Sequence, residues 1–346
     1  MNLVANRLVI VYLGRKGGGN HLTLHIIREL MKNDSIKDLT VVIYKNNYLL
    51  KQYLLLKGCR LIILKSRVSS IFGLRREFKQ DITYYETSHA IFTMPSPFDA
   101  FTSYFFQKRN YKIVRIIHDA RKHPGDLWPW NFWIKHMVKS AYSLITPSGH
   151  VASEVLRLYG RDSIVYNHPV FDLDSYGPSA ISLPSEFTLL YVGRIRKYKG
   201  IDNLIAAFKL LPDHYSVKLL IAGEGKFHYE LPKNCLLVNR WLNEREIKHL
   251  IESAEVVIFP YTEASQSGLL PIVVNKSRKV VLTPLPGLID QVKDYKAAYV
   301  SDDFTPNSIS LQIQRALDAP NNHFIKHDYN LPSFAEVFGR IISLGI

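Results

Sequence analysis

Short apolar runs alternate with longer amphipathic ones along this chain. Residues 7–13, 39–44, 61–64, 90–94, 113–118 and 143–146 are brief, rich in Val, Ile and Leu, and read as buried strands. Residues 21–31 and 46–56 carry apolar positions at helical spacing and predict helices between them. The pattern restarts with strands at 188–192, 218–222, 236–238, 256–259 and 280–282, with helices at 200–211, 243–253 and 305–317. Strands alternating with helices predict an α/β protein with doubly wound parallel sheets. Residues 171–185 hold two prolines, a glycine, acids and serines, and read as a linker. The expected division is a first domain over 1–170 and a second over 171–330. A terminal helix at 331–346 is expected to pack back on the first domain.

Length agrees, since 346 residues suit two ordinary domains. Two cysteines, Cys59 and Cys235, are too few for a disulfide framework or a thiolate zinc site, and point to a reducing compartment. The apolar run near the N-terminus is too short to span a bilayer and meets glycines at once, so it reads as a first strand rather than a signal peptide. Charge changes the picture more. Before residue 171 there are 25 Lys and Arg against 11 Asp and Glu; after it, 19 against 19. The whole net charge of +14 lies in the first half, which implies an anionic partner: lipid headgroups, a phosphorylated substrate or nucleic acid. No zinc-finger or RNA-recognition signature accompanies it, so nucleic acid is not expected.

The densest chemistry follows the strand at 188–192. Gly193 ends it, Arg194, Arg196, Lys197 and Lys199 follow, and Gly200 opens a helix with Ile201, Leu204, Ile205 and Phe208 on one face. A strand, a basic turn and a helix start suit a diphosphate, because Arg offers a planar fork, Lys a point charge and the helix end unpaired N–H groups. An ordinary loop with solvated cations reads the same way. Gly14-Arg15-Lys16-Gly17-Gly18-Gly19-Asn20 also joins a strand to a helix. It is not a P-loop, since no Gly-Lys-Ser/Thr closes it, and a tight turn is the plain alternative. His118 sits at a strand tip, where doubly wound sheets bind ligands, although a lone His is usually structural. His123 lies near it without a third convincing ligand, so no metal is proposed. Trp128, Trp130 and Trp133, followed by Lys135 and Lys139, read as core packing on a helix, an interfacial anchor or a sugar platform. Residues 60–79, with Arg75 and Arg76, mix cations with Leu, Ile and Phe, and read as a solvated face or one lying along an anionic bilayer.

Val192-Gly193-Arg194 with Lys199-Gly200 resembles the start of the C-terminal domain of the retaining family 4 glycosyltransferases, which have the GT-B fold of two Rossmann-like domains with a cleft between them. The resemblance covers the C-terminal half from about 188 to 292 and the N-terminal half only by pattern. It implies that Arg194 and Lys199, beside Gly193, grip the pyrophosphate of a nucleotide-diphosphate sugar. It implies that His118 contacts the donor sugar. Gly17 and Gly18 would face the cleft as donor contacts, with Lys16 toward the acceptor. The stretch 239–246, with Arg240, falls where the nucleobase is held. The family's two glutamates, with seven residues between them, are missing: Ala264 and Ile272 stand at their places, and Glu263 is one residue early. Ser265-Gln266-Ser267-Gly268 resembles a variant found in some branches, whose Ser267, Gly268 and Leu269 would offer N–H groups to phosphate.

The implied function is retaining sugar transfer, without a metal or cofactor, to a saccharide acceptor expected to be lipid-linked. The implied setting is surface polysaccharide or lipopolysaccharide assembly, with the protein peripheral on the cytoplasmic face of the membrane. Arg75, Arg76, Trp128 and Trp130 are the expected acceptor or membrane contacts. Two other readings stand: a GT-B shell that binds sugar nucleotides without catalysis, and a sugar-nucleotide epimerase.

Overall fold

The computed structural model describes residues 7–33, 36, 38–65, 70–78, 88–96, 98–121, 130–171, 173, 183–184, 186–320 and 332–343. The chain divides into two compact units, one of Met1–Pro169 with Leu331–Ile346, the other Val170–Asn330. The expected linker at 171–185 lies largely outside the described residues.

In the N-terminal unit the order is β1 (Arg7–Tyr12), α1 (Gly18–Leu30), β2 (Asp38–Tyr44), α2 (Leu50–Leu54), β3 (Arg60–Leu64), α3 (Ser70–Glu77), β4 (Ser88–Phe92), α4 (Asp99–Gln107), β5 (Tyr111–Ile116), α5 (Trp130–Ser140), β6 (Ser143–Thr146), α6 (Gly149–Tyr159) and β7 (Ile164–Val165). The seven strands are parallel in the order β3-β2-β1-β4-β5-β6-β7. Every residue of β1 is buried, which a strand covered by helices on both faces requires and which explains its unbroken apolar run. On one face Phe78, Phe105 and Phe106 pack edge-on against one another beneath α3 and α4. Arg115 is fully buried there and pairs with Asp99 at 3.3 Å. Burial pushes the Asp99 carboxyl up to about 6 against the pull of Arg115.

The C-terminal unit runs β8 (Leu189–Val192), α7 (Ile201–Lys209), β9 (Leu219–Ala222), β10 (Cys235–Val238), α8 (Glu244–Ser253), β11 (Val256–Phe259), α9 (Leu270–Asn275), β12 (Lys279–Leu282), α10 (Pro286–Ile289), β13 (Ala298–Val300) and α11 (Pro306–Asp318). Its six strands are parallel in the order β10-β9-β8-β11-β12-β13. The last helix, α12 (Phe334–Ser343), returns to the N-terminal unit and packs on α1. Its first N–H donates to Glu29 Oε2 at 2.6 Å, and Phe334, Val337, Phe338 and Ile341 bury its apolar side.

Each predicted strand lies within two residues of an observed one. The helix expected at 46–56 is shorter because Asn47 Oδ1 accepts from the Leu49 N–H at 2.8 Å, a local turn that competes with helix. Strands β7 and β13, of two and three residues, carried too little pattern to be anticipated. In α4, aromatic residues fall on both sides of the helix and blur its period.

Candidate functional site

In the C-terminal unit, successive strands step one way from β8 through β9 to β10 and the other way from β11 to β13, so the order reverses between β8 and β11. Connections leave the two central strands in opposite directions there and open a crevice at their C-terminal tips. The loops on its two sides are 193–200 and 260–269.

The 193–200 loop is held largely by its backbone. Gly193 N–H donates to Ala222 O at 3.0 Å and Ile195 N–H to Glu224 O at 2.9 Å. The fully buried Tyr191 reaches up to donate its phenol to Arg194 O at 2.8 Å. Gly223 has φ 149°, and a Cβ on it would meet Gly193 O at 1.8 Å, so the loop after β9 touches this one backbone to backbone. Residues Lys197–Lys199 form a 3-10 turn that ends at Gly200, with φ 63°. Tyr198 O then accepts from the Thr262 N–H at 2.9 Å and its hydroxyl at 3.2 Å, which binds the two loops together.

Two cations meet the crevice. Arg194 is exposed, and its charge acts on the phenols of both Tyr191 and Tyr261. Lys199 is half-buried, with Nζ 3.4 Å from the ring centroid of Tyr261, a close cation–π contact. Tyr261 is buried, its phenol 3.5 Å from Ser267 Oγ, and burial raises its pKa so that it stays a neutral phenol. Gly193 approaches Leu269: a Cβ there would lie 3.9 Å from Leu269 Cδ1. The structure thus gathers Gly193, Arg194, Lys199, Ser267 and Leu269 at one place, with Gly268 between the last two. Glu263 lies on the same loop, its N–H 3.4 Å from Tyr198 O.

Two placements differ from expectation. The Ser267 N–H, expected to face phosphate, instead donates to Gln291 Oε1 at 2.7 Å, while Gln291 Nε2 donates to Ser267 O at 3.0 Å. One side-chain amide occupies both backbone groups of Ser267, because that residue is buried and its polar atoms need partners. Arg240 turns away toward α8: Glu246 accepts from its guanidinium at 2.6 and 3.0 Å and also caps the helix with Asn243. Arg240 holds the Glu246 carboxyl below its usual range. The neighbouring Asn239 Oδ1 accepts from the Gly225 N–H at 3.1 Å.

In the N-terminal unit the strand order reverses between β1 and β4. The loop after β1 leads into α1 through Gly17, with φ 99° and no side-chain cap. A Cβ on Gly17 or Gly18 would meet nothing within 4 Å, so this helix start faces open space. Asn20 and Asn47 pin the loop: Asn47 Nδ2 donates to Asn20 Oδ1 at 2.7 Å, and Tyr48 N–H to Arg15 O at 2.8 Å. Lys16 is exposed beside them. His118 is buried, with Nε2 2.9 Å from Thr93 O. A carbonyl only accepts, so Nε2 carries the hydrogen; burial lowers the pKa and keeps the ring neutral. Thr93 Oγ1 lies 2.6 Å from Thr23 Oγ1, which donates to Gly19 O or shares its hydrogen with Thr93. His118, Thr93, Thr23 and the glycine loop are therefore one polar group. Arg75 and Arg76 lie apart, on α3. Trp128 and the Trp130 side chain lie outside what is described. Among the described residues no group of three His, Cys, Asp or Glu is placed to hold a metal.

Tyr191, Tyr261, Gln291 and Thr93 were not anticipated. Each acts on a loop through packing or a hydrogen bond, and Gln291 stands 24 residues from its partner. No local motif marks such contacts.

Residues 180–330 match the family model of glycosyl transferases group 1. Among curated proteins, the chain is 26% identical over 140 residues to the uncharacterized glycosyltransferase MJ1607 of Methanocaldococcus jannaschii, spanning 38% of this chain and about a third (36%) of that protein's length. It is 22% identical over 307 residues to MJ1069 of the same organism, covering 79% of this chain and 71% of that protein. It is 28% identical over 145 residues to the capsular polysaccharide biosynthesis glycosyltransferase CapM of Staphylococcus aureus, covering 39% and 38%. Among solved structures, Anabaena HepE in complex with UDP and glucose matches at TM-score 0.69 and 13% identity over 98% of this chain and 96% of that one. Sucrose-phosphate synthase from Thermosynechococcus elongatus matches at 0.67 and 14% over 90% of each. UDP-GlcNAc 2-epimerase from Methanocaldococcus jannaschii matches at 0.61 and 11% over 98% and 100%. At these identities the structural likeness speaks for the fold, two Rossmann-like parallel units of GT-B type, and the stretch similar to glycosyl transferases group 1, residues 180–330, covers most of the second unit.

Proposed function

We propose that this protein is a retaining glycosyltransferase that moves a sugar from a nucleotide-diphosphate sugar to a lipid-linked saccharide in surface polysaccharide assembly. The observation that carries this reading is the placement of Arg194 and Lys199 together at the strand-order reversal of the C-terminal unit. The leaving group of such a donor is a diphosphate, whose negative charge grows as the sugar–oxygen bond breaks. Arg194 is exposed to meet it, and Lys199 is held near Tyr261 in a setting where charge is screened less than in water. The bond from the anomeric carbon to the phosphate oxygen breaks, and the acceptor oxygen bonds to that carbon on the same face. The acceptor's proton passes to the departing phosphate oxygen. The likeness to CapM, a capsular polysaccharide biosynthesis glycosyltransferase, supports the polysaccharide setting, and the likeness to HepE, solved with UDP and glucose, supports the donor class.

In this reading the C-terminal unit binds the donor, with Gly268, Leu269 and Glu263 beside it. The N-terminal unit binds the acceptor, with Lys16 toward it. His118 acts as a neutral donor that fixes Thr93. The test is turnover of UDP-, GDP- and dTDP-sugars with membrane extract. Arg194→Ala is expected to lose transition-state stabilisation of about 2–4 kcal/mol, and Lys199→Ala a similar amount. Near-wild-type turnover in both would refute the assignment. A second reading, epimerisation of a sugar nucleotide, is favoured by the likeness to UDP-GlcNAc 2-epimerase. An isomeric sugar nucleotide formed without acceptor would select it.

A further inference from the structure

We propose that the outer side of α3 and α4 is the face by which this protein lies on an anionic lipid bilayer. The proposal rests on the lipid-linked acceptor of the reading above, and assigns the surface that meets that acceptor's membrane. In α3, Leu74 and the following Phe78 point into the core, where Phe78 meets Phe105 and Phe106 at 5.8 and 5.6 Å. Helical spacing then leaves Phe72, Arg75 and Arg76 on the outer side. In α4, Thr102, Ser103, Phe105 and Phe106 are buried, which leaves Phe101, Tyr104 and the following Lys108 outward.

Phe72 is 72% exposed, Tyr104 57% and Phe101 55%. They are the three most exposed aromatic side chains among the described residues, and they sit on two neighbouring helices. A single exposed ring is ordinary; three on the outer sides of two adjoining helices indicate a surface that is covered in use. The charges name what covers it. Arg75 and Arg76 are exposed on α3 with Phe72, Lys108 and Arg109 are exposed just after α4, and Lys108 Nζ lies 5.5 Å from the Tyr104 centroid. The acids of these two helices are Glu77, engaged with Arg76 at 3.1 Å, and the buried Asp99. Gln107 ties α4 to the end of α5, which adds exposed Lys135 and Lys139. Aromatic rings set among cations, with their carboxylates already paired, match an anionic headgroup layer: the rings enter the interface and the cations stay at the phosphates.

The test is co-sedimentation of the full chain with vesicles of equimolar phosphatidylglycerol and phosphatidylcholine, against vesicles of phosphatidylcholine alone. Binding to the mixed vesicles at low salt and release at high salt are expected. Replacing Phe72, Phe101 and Tyr104 by Ser together is expected to weaken binding at least about tenfold, and Arg75→Glu with Arg76→Glu to do the same. Leu54→Ser with Leu55→Ser serves as the control. These residues are also exposed, at 58% and 72%, but they belong to α2 and its end, whose connection runs the other way along the sheet and so lies on its opposite face. The proposal is overturned if the wild type ignores the mixed vesicles, if it binds neutral ones equally, or if the triple variant sediments like the wild type. A dimer in solution that the triple variant dissolves would assign the face to a second copy instead. Calorimetry with UDP, GDP and dTDP on the same proteins separates the two levels. A wild type that binds vesicles but no nucleotide sinks the donor reading; one that binds nucleotide but no vesicle sinks this one.

Discussion

Gly200 carries the geometry of the cation loop. Its φ of 63° is left-handed, and a Cβ there would meet Pro260 O at 1.8 Å. The loop after β8 can therefore lie against the loop after β11 only if this residue is glycine. Gly200→Ala is expected to lower stability by about 2–4 kcal/mol, from backbone strain plus overpacking, and to weaken nucleotide binding. An unchanged denaturation midpoint would contradict this account. Gln291 acts on the same crevice from its other side by holding Ser267 at both backbone groups. Gln291→Ala leaves a buried N–H and C=O without that partner, at a cost of about 1–3 kcal/mol. Faster amide exchange at Ser267 and a raised donor KM, with kcat less affected, are the expected results. Gln291→Glu keeps the acceptor for the Ser267 N–H and loses the donor to its C=O, so it should restore only part of the exchange protection. Equal exchange rates in all three proteins would remove Gln291 from the site.

Among the elements, β4 and α12 share a group that makes the N-terminal unit sensitive to acid. His89 on β4 is 1% exposed and lies edge-on to Phe338 of α12, ring centroids 5.4 Å apart. Neither ring nitrogen has a hydrogen-bond partner among the described residues. Burial, with Lys112 nearby, lowers its pKa to about 4. In the unfolded chain the ring takes up a proton as pH falls through its ordinary value; in the folded chain it does not until about 4. The unfolded state thus binds more protons in that window, and stability falls with pH there, by at most about 3 kcal/mol at its acid end. Above the ordinary histidine pKa this group has no effect. His89→Leu should flatten the loss of melting temperature between neutral pH and pH about 4.5 relative to the wild type. Parallel curves for the two proteins would exclude His89 as the cause.

Over the whole molecule, charge and chemistry divide between the two units. The net positive charge lies before residue 171, while the clustered cations of the 193–200 loop lie in the half that is neutral overall. On the proposed reading, the bulk excess of charge does not mark the diphosphate site; the vesicle experiment should respond to the first feature and the Arg194 and Lys199 variants to the second. No described helix is long and apolar enough to cross a membrane.

The residues alone disclosed the two parallel units, because strands buried on both faces must be continuous apolar runs, as in β1, β8 and β11. They also marked Gly193, Arg194, Lys199 and Gly200, since a basic turn between strand and helix is a local pattern. Tertiary structure decided the rest. It turned Arg240 to Glu246, gave the Ser267 N–H to Gln291, and set Tyr261 beneath Lys199. It also set α3, with exposed Phe72, beside α4, with exposed Phe101 and Tyr104, across a gap in sequence that no periodicity spans. The physical reason is the range of each force. Burial and backbone hydrogen bonding impose a period along a segment and leave a trace in its sequence. The partner of a polar side chain, or the neighbour of an exposed ring, is chosen by where other elements pack, and it leaves no trace in the segment itself.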